Sequence, residues 1–104
     1  MLNILKKIFG FGQSVNFKDL TEKGAVVVDV RTVAEFKTGH IKNALNVPLD
    51  KISKQLPQIK KINKPVIAVC RSGSRSGIAV NILKKAGIEA YNGGAWDMLK
   101  RKIA

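Results

Sequence analysis

Two nearly unbroken apolar runs organise the chain. Gly24–Val30 is rich in β-branched residues and starts at a turn glycine, and Val66–Cys70 follows the breaker Asn63-Lys64-Pro65. Runs of this length without polar alternation predict strands covered on both faces, the habit of parallel sheets. Between them the pattern changes period. Thr32–Thr38 predicts a short helix, with Thr32 as N-cap, Glu35 three residues on as its capping-box partner, and Gly39 as the stop. Ala44–Val47 predicts a second short strand ended by Pro48. Leu49–Lys61 carries Leu49, Ile52, Leu56 and Ile59 at helical spacing, with Pro57 breaking its later half.

Beyond Cys70, Ser74–Ala86 predicts an amphipathic helix with Ile78, Ala79, Ile82 and Leu83 inward, basic Lys84-Lys85 in the last turn and Gly87 at the C′ position. Glu89–Tyr91 predicts another short strand, Gly93-Gly94 a turn, and Ala95–Ile103 a terminal helix. Strands and helices that alternate with short connections predict a parallel sheet with helices on both faces. Residues 1–14 read as a lead segment and residues 15–104 as one domain, a size that suits a single core.

Composition narrows the class. The 104 residues are 45% hydrophobic and 25% charged, which excludes a disordered or low-complexity chain. A single cysteine excludes a disulfide scaffold and an intramolecular redox pair, and one Cys with one His makes a metal site improbable. No apolar run approaches the ~20 residues that span a bilayer, so stable membrane insertion is not expected. In MLNILKKIFGFG, Lys6 and Lys7 interrupt the apolar residues and no small-residue cleavage site follows, unlike an export signal. Leu2, Leu5 and Phe9 can share a helical face, read first as a short lead helix packing loosely on the domain, with weak membrane-surface or partner contact as the lesser reading. The expected compartment is the cytoplasm, where a free thiol stays reduced. Nineteen basic against seven acidic side chains give a formal charge of +12, spread in short groups along the sequence. Without a basic stripe interleaved with aromatic platforms, no nucleic-acid partner is expected. The charge then reads as a solvated surface whose field concentrates small anions.

Cys70 carries the candidate chemistry. In open α/β sheets ligands collect beyond the carboxyl ends of strands. Cys70 ends the most apolar strand and opens the segment Cys70-Arg71-Ser72-Gly73-Ser74-Arg75-Ser76-Gly77. A loop rich in Ser and Gly lets backbone N–H groups turn inward as an anion nest, and the following helix adds its free donors and positive end. Arg71 and Arg75 add fixed charge. All of these favour thiolate over thiol, below the ordinary pKa of about 8.5. The competing reading, a small apolar residue at a strand end, leaves those arginines, serines and glycines without a purpose. The expected site is therefore an ionised, accessible sulfur at the floor of a ring of amides.

These motifs, in this order, resemble a single-domain rhodanese, a thiosulfate sulfurtransferase-like module. The matching pieces are Asp29-Val30-Arg31 with Glu35-Phe36, then Gly39-His40-Ile41 followed by Ala44, Asn46 and Pro48, the loop from Cys70 to Ser76, and Gly93-Gly94 with Trp96. They cover roughly residues 15–100. The resemblance implies an α/β fold with a central parallel sheet of about five strands flanked by helices on both faces. It also implies a persulfide on Cys70. A small anionic sulfur donor (thiosulfate or a persulfide) would be held by Arg71, Ser72, Gly73, Ser74 and Arg75, and the sulfur would pass to a thiol, cyanide or protein acceptor. No cofactor is implied. With no second cysteine, discharge is intermolecular.

Two other readings stay open. Rhodanese-like phosphatases and arsenate reductases place five residues between Cys and Arg, whereas here four separate Cys70 from Arg75 and the sixth position is Ser76, a loop length the family associates with sulfur transfer. A non-catalytic binding or redox-sensing module is the third reading. Among supporting residues, Arg31 is expected to pair with Asp29 or Glu35 and brace the site. His40 is expected to be a scaffold residue rather than a general base, and Trp96 a core residue or a pocket wall.

Overall fold

The computed structural model describes residues 15–104. Its sheet contains β1 (Val26–Asp29), β2 (Leu45–Asn46), β3 (Val66–Cys70) and β4 (Ala90–Ala95), in the order β2-β1-β3-β4. All neighbours are parallel, with Val28 opposite Ala68 and Asp29 opposite Asn46 and Val69. The strand count among the described residues is four rather than about five. The stretch leading directly into β1 is the helix α1 (Phe17–Glu22), whose first turn is capped by the Asn16 side chain accepting from the Asp19 N–H.

Both faces of the sheet are covered, as the unbroken apolar runs require. Period-two alternation sends Val28, Val30, Val66, Ala68 and Cys70 to one side, where they pack with Ile52, Ala79 and Leu83. Val27, Ile67 and Val69 go to the other, against Ile41 and Leu99. The first layer is completed by a 3-10 turn (Leu49–Lys51), α3 (Leu56–Ile62) and α4 (Ser74–Lys85), the second by α1 and α5 (Trp96–Lys102). The short α2 (Val33–Lys37) has its full capping box: Thr32 Oγ1 accepts from the Glu35 N–H and Glu35 accepts from the Thr32 N–H.

Three local expectations are corrected. Pro57 does not interrupt a helix but begins one, because proline in the first turn lacks only an N–H that has no partner there. The inward stripe of α4 is Ser76, Ala79, Val80 and Leu83, and Ile78 is 52% exposed. Once Ser76 points into the site, Ile78 lies about 200° around the helix and faces out. Gly93-Gly94 is not a turn but part of β4, where the register to β3 slips between Ala68 and Val69. A Cβ on Gly93 would sit 2.7 Å from Ile67 Cγ2 and 2.9 Å from Val69 Cγ1, so only glycine lets this strand approach its neighbour.

Candidate functional site

The carboxyl end of β3 delivers Cys70 into the turn that becomes α4. Gly73 takes φ +97°, a left-handed conformation open to glycine at little cost, and this folds the loop back over the sulfur. The Gly73 N–H donates to Cys70 Sγ at 3.0 Å and the Ser76 N–H at 3.4 Å, while the Ser76 hydroxyl lies 3.4 Å from it. Burial pushes the thiol pKa up. Hydrogen bonding from the Ser76 hydroxyl and from the Ser76, Ser72 and Gly73 amides outweighs burial and leaves the thiol below its ordinary value. The inward-facing amides are thus present, but the residue is only 1% exposed rather than open to solvent.

The arginines divide their roles. Arg75 forms a two-pronged pair with Glu35, Nη1 to Oε1 at 2.7 Å and Nη2 to Oε2 at 3.0 Å, tying the loop to α2. That contact, with help from the Thr32 N–H, holds the Glu35 carboxyl down to about 2. Arg71, Ser72 and Ser74 are exposed on the lip of the loop. Arg31 is buried and grips Asp29 through Nε at 2.9 Å and Nη2 at 2.7 Å. Its remaining donors reach the carbonyls of Glu35 and Gly39, and its guanidinium carbon lies 4.6 Å from the Trp96 ring centroid. Asp29 and Arg31 therefore brace the 31–39 segment, with Trp96 as a lid on the arginine. His40 stacks on Phe36, with ring centroids 3.7 Å apart, and bonds the Phe36 carbonyl, an arrangement that orients no base toward Cys70.

Asn92, which sequence reasoning passed over, is the second anchor of the loop. Its Nδ2 donates to the Gly73 carbonyl at 3.0 Å, and its Oδ1 accepts from the Ser76 hydroxyl at 2.7 Å and the Gly94 N–H at 2.9 Å. The register slip in β4 sets this side chain beneath the loop. The only available signal was its place just before the double glycine that makes the slip.

A strand-end cysteine on a parallel α/β sheet, with the Gly73 and Ser76 amides directed at its sulfur, is placed to carry a thiolate. The Rhodanese-like domain family matches residues 15–97 of the sequence. The chain belongs to that family. Within it, YqhL of Bacillus subtilis, an uncharacterized protein, is 41% identical over 69 residues, covering 65% of this chain and 54% of its own length. The chain thus spans about half the length of that relative. A Schizosaccharomyces pombe protein named "Putative thiosulfate sulfurtransferase, mitochondrial" is 32% identical over 115 residues, covering 91% of this chain and 81% of its own. Among solved structures, a rhodanese-like domain protein from Staphylococcus aureus superposes with a TM-score of 0.66 at 36% identity, covering 73% of this chain and 74% of the other.

Proposed function

We propose that this rhodanese domain is a sulfurtransferase that works through a Cys70 persulfide. The observation that carries the reading is the pair of N–H groups, from Gly73 and Ser76, directed at Cys70 Sγ. Relatives named as sulfurtransferases support the reaction class. The Cys70 thiolate attacks the outer sulfur of thiosulfate. A Cys–S bond to that sulfur forms, the S–S bond of the donor breaks, and sulfite leaves with the bonding pair. The new terminal sulfur, about 2 Å beyond Sγ, carries the negative charge into the amide cradle, where preorganised donors stabilise it. An acceptor thiolate or cyanide then takes that sulfur and regenerates the Cys70 thiolate.

In this reading Arg71, Ser72 and Ser74 on the lip receive the anionic donor, together with the Gly73 amide. Arg75 acts mainly by fixing the loop through Glu35. Because the sulfur is buried, the donor has to reach it past the loop, and a small sulfane such as thiosulfate suits that passage better than a bulky ester. The same burial is the observation that favours a second reading, a non-catalytic module. Thiosulfate:cyanide assays on the wild type and Cys70→Ser separate the two. Thiocyanate formation lost in the variant supports transfer. No thiocyanate from the wild type with any sulfane donor, or turnover of an aryl phosphate or arsenate instead, overturns it.

A further inference from the structure

Three arginines follow the carboxyl ends of β1 and β3, and carboxylates hold two of them. Arg31 is buried on Asp29, with Nη2 2.7 Å from Oδ2. Arg75 is clamped on Glu35 through two hydrogen bonds, at 2.7 and 3.0 Å. The Glu35 carboxyl is held down to about 2, first by that contact, so the pair stays charged at neutral pH. The Arg75 guanidinium is held above its ordinary value by the Glu35 hydrogen bond first, and the charges of Cys70 and Asp29 add to this. Arg75 therefore lies within electrostatic reach of the sulfur. Arg71, exposed next to Cys70, forms no ion pair among the described residues, which include all seven acidic side chains of the chain.

This arrangement limits the charge that the site can receive. A neutral pair acts at a distance only as a dipole, so of these three arginines Arg71 alone offers a donor an uncompensated positive charge. The donor must also approach a thiolate. Coulomb repulsion scales with the donor's charge, so a dianion is repelled twice as strongly as a monoanion of the same shape. The Gly73 and Ser76 amides are directed at the sulfur itself, where they offset its own charge and not a second one on the donor. Glu35 is thus the residue that decides how much positive charge the donor meets. Without its carboxylate, Arg75 would stand beside Arg71 as a second cation for an anionic group.

We propose, resting on the sulfurtransferase reading above, that the Glu35–Arg75 pair determines donor specificity: by neutralising Arg75 it adapts the site to organic sulfane donors with a single negative charge in preference to dianionic thiosulfate. With an alkyl thiosulfonate the Cys70 thiolate attacks the outer sulfur, the donor S–S bond breaks, and a sulfinate leaves with the bonding pair. Methanethiosulfonate anion and thiosulfate are the probes, since they share this chemistry and differ by one charge. Thiocyanate formation with each is measured for the full chain and for Glu35→Gln and Arg75→Gln. The wild type is expected to show the higher kcat/KM with methanethiosulfonate. Glu35→Gln keeps an oxygen for the Thr32 N–H and is expected to shift the ratio of the two kcat/KM values toward thiosulfate on the order of fivefold, the effect of one unit charge about 4 Å away in water. Arg75→Gln leaves the Glu35 carboxylate unpaired and is expected to shift it the other way. Loosening of the loop would slow both donors alike and leave the ratio in place. A wild type that favours thiosulfate, an unchanged ratio, or shifts of the same sign in the two variants overturn the proposal and leave sulfur transfer standing. No thiocyanate from either donor overturns the sulfurtransferase reading and this proposal with it.

Discussion

Replacing Ser76 with alanine removes one hydroxyl proton for which two acceptors compete. When Cys70 is a thiol, that proton goes to Asn92 Oδ1 at 2.7 Å, and the S–H can donate to Ser76 Oγ at 3.4 Å. When Cys70 is a thiolate, the hydroxyl turns to the sulfur. Asn92 Oδ1 is not left bare, because the Gly94 N–H still donates to it. The turn exchanges a neutral hydrogen bond of about 1 kcal/mol for a charge-assisted one of about 1.5–3 kcal/mol. The net gain of roughly 0.5–2 kcal/mol corresponds to about one pKa unit at 1.36 kcal/mol per unit. Ser76→Ala is therefore expected to raise the Cys70 pKa by about one unit, read from the pH dependence of iodoacetamide alkylation and of thiolate ultraviolet absorbance. The sign follows from the hydroxyl donating its proton to the sulfur only in the charged form. A change below about 0.3 unit, or about 0.4 kcal/mol, would refute the idea that this hydroxyl supports the thiolate.

Arg31→Met leaves the Asp29 carboxylate buried without its main partner, and breaking such a pair costs about 3–5 kcal/mol. At about 4–8 °C per kcal/mol for a domain this size, Tm is expected to fall by ~12 °C or more in thermal melts, and a fall of a few degrees would contradict the bracing role. Gly93→Ala drives a Cβ into Ile67 and Val69, both fully buried, and is expected to cost about 1–3 kcal/mol in urea unfolding; a neutral result would mean the strands can separate at the slip. Glu35, ordinarily near 4.5, is held down to about 2 by the Arg75 hydrogen bond first. Its contribution is present above the ordinary value and lost as pH falls from 4.5 toward 2, so wild-type stability should drop more steeply across that window than that of Glu35→Gln. Parallel curves would show that the pair, about a third exposed on each side, is screened by solvent.

What the sequence disclosed followed the range of the interactions. The Thr32–Glu35 capping box, the strand ending at Cys70 and the cradle that follows it are local, and each could be read from neighbouring residues. The tie between Arg75 and Glu35 spans forty residues and was not legible as such, since a loop arginine beside a cysteine suggests a substrate contact equally well. Asn92 was missed for the same reason, because it meets Gly73 and Ser76 only after the slip in β4 has turned it. The facing of α4 was misjudged because hydrophobicity alone put Ile78 inward, whereas the demand of Cys70 for the Ser76 hydroxyl sets the rotation of the helix. The helix α1 was overlooked although Asn16, followed by Asp19 in the first turn, is an ordinary start signal.

The central claim is that the Cys70 sulfur, under the Gly73 and Ser76 amides, accepts and holds a sulfane sulfur. Intact-mass spectrometry of the full chain after exposure to thiosulfate tests it most directly. The account predicts a mass increment of one sulfur atom, removed by cyanide and absent from Cys70→Ser. An unmodified wild-type mass, or an increment that persists in the variant, would contradict it.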